Sequence, residues 1–126
     1  MSHFTRIQTQ FVEKEYLRKA LEDLGYKVRE SGVVRGWRGQ RTEAELVVES
    51  PTPGYDIGFR KSGETYEVVA DWWGIRSLKQ ETLLAQLRQR YAYHATLDKL
   101  QKQGFSLAAE EKQADGRIRL VLRRMR

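Results

Sequence analysis

The sequence predicts an α+β fold: a mostly antiparallel sheet of about six or seven strands with two helices packed on one face, in the order β-α-β-β-β-β-α-β-β. Three observations predict it. Two stretches carry apolar residues at helical spacing, and each ends on a glycine, Gly25 or Gly104. The centre of the chain alternates apolar and polar residues with a period of two, punctuated by turn sequences. The last third, Leu78 to Arg126, reads as one long amphipathic helix, a glycine stop and a hairpin on Asp115-Gly116.

The first strand is His3 to Thr9, where Phe4, Thr5, Ile7 and Thr9 favour extended backbone. A helix follows over Val12 to Leu24. Tyr16, Leu17, Ala20, Leu21 and Leu24 form its apolar stripe, and Lys14, Arg18, Lys19 and Glu22 take the other side. Tyr26 to Arg29 begins the next strand. From Ser31 to Arg41 the pattern loosens. Gly32, Gly36 and Gly39 separate Arg35, Trp37, Arg38 and Arg41. No Gly-Lys-Ser/Thr follows, so this is not a phosphate loop. It is a twisted strand or hairpin through Val33 to Gln40, or a basic-aromatic contact patch.

Glu43 to Glu49 is a strand centred on Leu46, Val47 and Val48, and Pro51-Thr52-Pro53-Gly54 is a turn. Tyr55, Ile57 and Phe59 alternate with Asp56, Gly58 and Arg60. Lys61 to Glu64 closes a hairpin, and Tyr66, Val68, Ala70 and Trp72 alternate along the return strand. The long helix runs from about Leu78 to Gln103, with Leu83, Leu87, Tyr91, His94, Leu97 and Gln101 on one stripe, broadened by Leu84, Tyr93 and Leu100. Such a wide face should lie across a sheet. A two-residue loop at Asp115-Gly116 would pair Ala114 with Arg117, Ala109 with Leu122 and Glu111 with Leu120. That register places Phe105, Leu107, Ala109, Ile118, Leu120 and Leu122 on one face. Arg117, Arg119 and Arg123 then share the other, with Lys112 across from Arg119 and Glu110 as its only acid.

The 126 residues are read as a single domain, 1–126, with a core sufficient to fold without staples. The absence of cysteine excludes disulfides, thiolate nucleophiles and cysteine-held metals. His3 and His94 are too isolated to suggest a metal centre, and no cofactor motif is present. No apolar run approaches a membrane span, and the first residues lack a signal-peptide core. A cytoplasmic protein is expected. The net charge of +6 admits an acidic protein, nucleic acid or an anionic surface as partner.

The opening Met1-Ser2-His3-Phe4, the helix end Ala20-Leu21-Glu22-Asp23-Leu24-Gly25, and a tail from Tyr91 to Arg124 carry a resemblance. In the tail these are Lys102-Gln103-Gly104-Phe105, Asp115-Gly116-Arg117-Ile118 and Leu120-Val121-Leu122-Arg123-Arg124. The chain resembles the hypothetical chloroplast reading frame family numbered thirty-five, a domain of unknown function of cyanobacteria and algal plastids. The family's tail closes on an aromatic residue where this chain has Met125. The resemblance implies a soluble protein of the cyanobacterial cytoplasm or plastid stroma, with no established activity. Relatives lie near small ferredoxin-type genes in some cyanobacteria, which implies an acidic partner.

No nucleophile–base pair is evident, so the chain is not expected to be an enzyme. Asp71, beside two tryptophans at a strand end, and His94, beside Tyr91 on the long helix, are the residues an enzymatic reading would use. In strict alternation Trp72 and Trp73 point to opposite sides, which leaves one at the surface as an interface residue. The alternative is that the long helix and its leading loop cover both. The arginine face is either protection of a sheet edge or a docking surface. The candidate binding residues are Arg117, Arg119, Arg123, Arg124, Trp72, Trp73 and Arg38, with Arg126 continuing the basic tail. An acidic protein partner is the preferred occupant. Nucleic acid bound through phosphates is the alternative, although no recognition helix or RNA-binding aromatic signature is present.

Overall fold

Alternation in the middle of the chain becomes a five-stranded antiparallel sheet. In the computed structural model, which describes residues 3–124, its strands are β1 (Thr5–Gln8), β2 (Arg29–Arg35), β3 (Arg41–Glu49), β4 (Asp56–Ser62) and β5 (Thr65–Ala70). They lie in the order β1-β5-β4-β3-β2. Leu46, Val48, Ile57, Phe59, Tyr66, Val68 and Ala70 turn to one face. There they are buried against Leu17, Ala20 and Leu21 of α1 (Lys14–Asp23) and Leu83, Leu84 and Leu87 of α2 (Gln80–Lys102). Each of the fully buried leucines contributes about 1.5–3 kcal/mol of transfer free energy.

The opposite face is thinner: Val34, Ala44 and Val47 are buried there, with Phe4 packed on them. Ala44 and Val47 are three residues apart, so strict alternation breaks between them. Across β2, Ser31 takes a left-handed φ of 56° at the same place. Gly58 lies on this face because nothing larger fits. A Cβ there would stand 2.3 Å from Val34 Cγ2 and 2.9 Å from the Ala44 methyl.

Glu13, preceding α1, caps the helix with no side-chain bond of its own. The hydroxyl of Tyr91 in α2 accepts the backbone N–H of Val12 at 3.1 Å and of Glu13 at 2.9 Å. Both helices stop as their glycines predict: Gly25 has φ 91° and Gly104 φ 92°. The stripe along α2 is buried only in its first half; from Tyr91 onward its residues are half-buried or exposed.

The chain divides into two compact units, Met1–Tyr91 and Ala92–Arg126. The second contains the end of α2 and a two-stranded sheet of its own, β6 (Phe105–Lys112) with β7 (Ile118–Arg124). The seven predicted strands are therefore shared between a sheet of five and a hairpin. The hairpin also corrects the expected register. Gln113 and Arg117 close the loop, with Gln113 N–H donating to Arg117 O at 2.7 Å and Gly116 N–H to Gln113 O at 3.0 Å. Gly116 has φ 89°, whereas Asp115 is not left-handed. A type I′ turn needs positive φ at both, so the loop has three residues, with glycine at its left-handed position. Lys112 faces Ile118, Glu111 faces Arg119 and Glu110 faces Leu120. An irregularity between Leu107 and Ala109 then sets Leu107 opposite Leu122. Ala109 joins Val121 rather than Leu122, and Ile118, Leu120 and Leu122 are half-buried rather than core.

Candidate functional site

β5 ends at Ala70, and the chain turns immediately through the 3₁₀ segment Trp72–Gly74. Trp72 therefore does not continue the strand, and the two tryptophans diverge because of the turn and not by strand alternation. Trp72 packs on the main core, while Trp73 is 76% exposed. The turn is held from behind by Tyr55: a Cβ on Gly74 would lie 2.1 Å from its ring. Cover over both tryptophans, the other expectation, does not occur.

Asp71, the residue between strand and turn, is fully buried. Its Oδ2 accepts the backbone N–H of Trp37 at 3.1 Å. This bond ties the Trp72–Gly74 turn to a second 3₁₀ turn, Trp37–Gly39, at the tip of the β2–β3 hairpin. The hairpin reading of Val33 to Gln40 is the one the backbone adopts, with Gly36 N–H donating to Gln40 O at 3.0 Å. Within this tip Arg38 has φ 51° and ψ 44°, a left-handed conformation that disfavours any side chain. Its guanidinium carbon lies 5.2 Å from the centre of the Trp37 ring, and Trp37 is 40% exposed. Asp71 Oδ1 and Trp72 Nε1 are both buried without a hydrogen-bond partner. Each such atom costs about 1–3 kcal/mol, so strain and unmet polarity are concentrated at this corner.

The structure thus brings Trp72, Trp73 and Arg38 to one corner of the first unit. Trp37, which belongs to the basic-aromatic stretch but is not singled out by sequence, joins them. Its flanking glycines, Gly36 and Gly39, are the signal that could have marked it as the tip of a tight connection.

The hairpin arginines form a separate set in the second unit. Arg117 donates through Nε to Asp115 Oδ2 at 2.6 Å. Arg119 stands opposite Glu111, with Nη1 3.7 Å from its carboxylate. Lys112 is therefore not its neighbour across the strands, and the face is less uniformly positive than the two-residue loop would make it. Arg123 is exposed opposite Ser106. Arg124 lies over the Phe105 ring at 4.5 Å, on the same side as Leu107 and Leu122. Met1, Ser2, Met125 and Arg126 lie outside the described residues.

Of the two enzymatic candidates, Asp71 is sealed from solvent and bonded to Trp37, and His94 packs edge-on to Tyr93 at 5.0 Å. Among the described residues no helix is long and apolar enough to cross a membrane.

Relatives share this sequence from end to end. The uncharacterized protein ycf35 of Cyanophora paradoxa is 37% identical over 129 residues, covering 100% of this chain and 99% of its own. That of Guillardia theta is 35% identical over 133 residues, with 100% and 99% covered. That of Pyropia yezoensis is 34% identical over 129 residues, with 98% of each covered. No solved structure matches the chain. A family model described as a protein of unknown function (DUF1257) matches residues 20–121, and together with these full-length relatives it establishes that the chain belongs to that family.

Proposed function

We propose that the protein is a non-catalytic accessory or assembly factor of a photosynthetic cell that docks an acidic protein partner. Its working residues are Trp73 and Trp72, Arg38, and the hairpin arginines Arg117, Arg119, Arg123 and Arg124. The observation that carries the reading is Trp73. An indole that is 76% exposed, on a turn whose flanking residues Asp71 and Ile75 are buried, offers a partner a large apolar surface on an anchored backbone. The arginines add steering toward a negative surface, consistent with the net charge of +6.

The test compares cross-linked partners of the wild type with those of Trp73→Ser, Arg38→Glu and the triple reversal Arg117→Glu/Arg119→Glu/Arg123→Glu, in extract with and without nuclease treatment, at low and high salt. The reading expects an acidic protein captured by the wild type, lost in the variants and weakened by salt. Variants that retain every partner overturn it. Capture that disappears on nuclease treatment, with a steep salt slope, would assign the surface to nucleic acid instead.

A further inference from the structure

We infer that the hollow between β1, the segment leading into α1, and α2 is a binding site for a small organic carboxylate with an apolar body. It lies wholly in the first unit and is separate from the tryptophan corner. Its volume is about 460 Å³, within the range of small-molecule sites. Phe11, Leu84 and the ring of Tyr91 supply apolar walls, the Phe11 and Tyr91 rings lying 4.8 Å apart.

The polar side chains of the lining are Gln8, Thr9, Gln10, Arg88 and the Tyr91 hydroxyl, and two of them keep a donor for a ligand. Thr9 commits its hydroxyl to Tyr66 O at 2.6 Å and also accepts the Phe11 N–H. The Gln8 amide nitrogen is committed to Ser62 O and to Thr65. The Tyr91 oxygen accepts two backbone N–H groups, which fills both its lone pairs and leaves its proton to donate. Arg88 also lines the hollow. Its helix neighbour Arg90 is bonded to Asp23 at 2.9 Å, whereas Arg88 has no acidic partner among the described residues. No carboxylate side chain lines the hollow. An apolar cleft with a hydroxyl donor and a guanidinium at its side recognises an anion on an apolar stem, and the planar guanidinium can take a carboxylate through two parallel hydrogen bonds.

The test is an NMR titration of the full chain with hexanoate, 3-phenylpropionate and indole-3-propionate, each against its uncharged amide. The inference expects at least one acid to shift the amides of Gln10, Leu84, Arg88 and Tyr91, and its amide to bind roughly tenfold more weakly. Arg88→Gln, a change at an exposed helix position, should remove the preference for acid over amide while leaving the spectrum folded. No binding by any acid, equal binding of acid and amide, or a preference that survives Arg88→Gln each overturns the inference.

Discussion

Arg35 closes on Asp56 with three hydrogen bonds. Its backbone N–H reaches Oδ2 at 2.9 Å, its Nε reaches the same oxygen at 2.7 Å and its Nη2 reaches Oδ1 at 3.0 Å. Asp56 is fully buried, and Arg29 stands 3.9 Å away. Burial alone would push this carboxyl up. The side-chain and backbone hydrogen bonds from Arg35 and the nearby positive charges outweigh it, and the pKa falls below the ordinary carboxylate value. Because the folded value is the lower one, the stabilisation is complete above about pH 4 and is lost as pH falls through the folded value. Arg35→Met should lower stability at neutral pH by about 2–4 kcal/mol, since it strands a buried charge. It should also flatten the acid limb of a stability–pH curve measured by urea unfolding.

The close approach at Gly58 gives a packing prediction. Gly58→Ala drives a methyl into Val34, which is itself fully buried, and should destabilise by about 1–3 kcal/mol. Shortening Val34 to Ala in the same chain removes the nearer of the two clashes and leaves that with the Ala44 methyl. The double variant should therefore be more stable than the sum of the two single changes allows, as a thermal or denaturant double-mutant cycle would read.

Arg38 should show a conflict between stability and binding. Arg38→Gly releases a left-handed side-chain residue, a gain of about 1–2 kcal/mol, and loses a surface cation–π contact worth about 0.5–1 kcal/mol. The variant should unfold at equal or higher denaturant than the wild type, and the proposed docking role expects it to capture less of an acidic partner.

The two tryptophans should separate folding from docking. Trp73→Ser should change stability by less than about 0.5 kcal/mol, as exposed substitutions do. Trp72→Ser removes a ring packed on the main core and should cost about 2–4 kcal/mol. Circular dichroism melts distinguish the two, and only the first variant tests the proposed docking without a change in folding.

Local periodicity made most of the fold legible. The order of strands and helices, both glycine stops and the central meander follow from spacing and turn residues, and the structure adopts them. The misreadings lie where backbone geometry departs from the regular period. Asp115-Gly116 has the composition of a two-residue turn, but Asp115 stays out of the left-handed region and the loop takes one residue more. Trp72 keeps the alternating pattern of β5 although the strand has already turned. Ser31, with its left-handed φ, falls where the pattern already loosens, but the break in alternation between Ala44 and Val47 leaves no mark in a segment that reads as ordinary strand. The candidate corner was partly legible: Trp73 and Arg38 stand out by type. Their meeting depends on the Asp71–Trp37 bond between segments 34 residues apart, and no local pattern encodes it.

Tyr91 gives the first unit an order of completion. The N–H groups it receives belong to residues 78 and 79 positions earlier. On the ribosome, Val12 and Glu13 emerge well before their acceptor exists, and four of the five strands of the sheet, β2 to β5, are synthesised in between. The start of α1 must wait in water until α2 arrives and its phenol reaches back across the sequence. Such a bond makes α1 an early element to be synthesised and a late one to be finished, and makes docking of α2 the step that closes the unit.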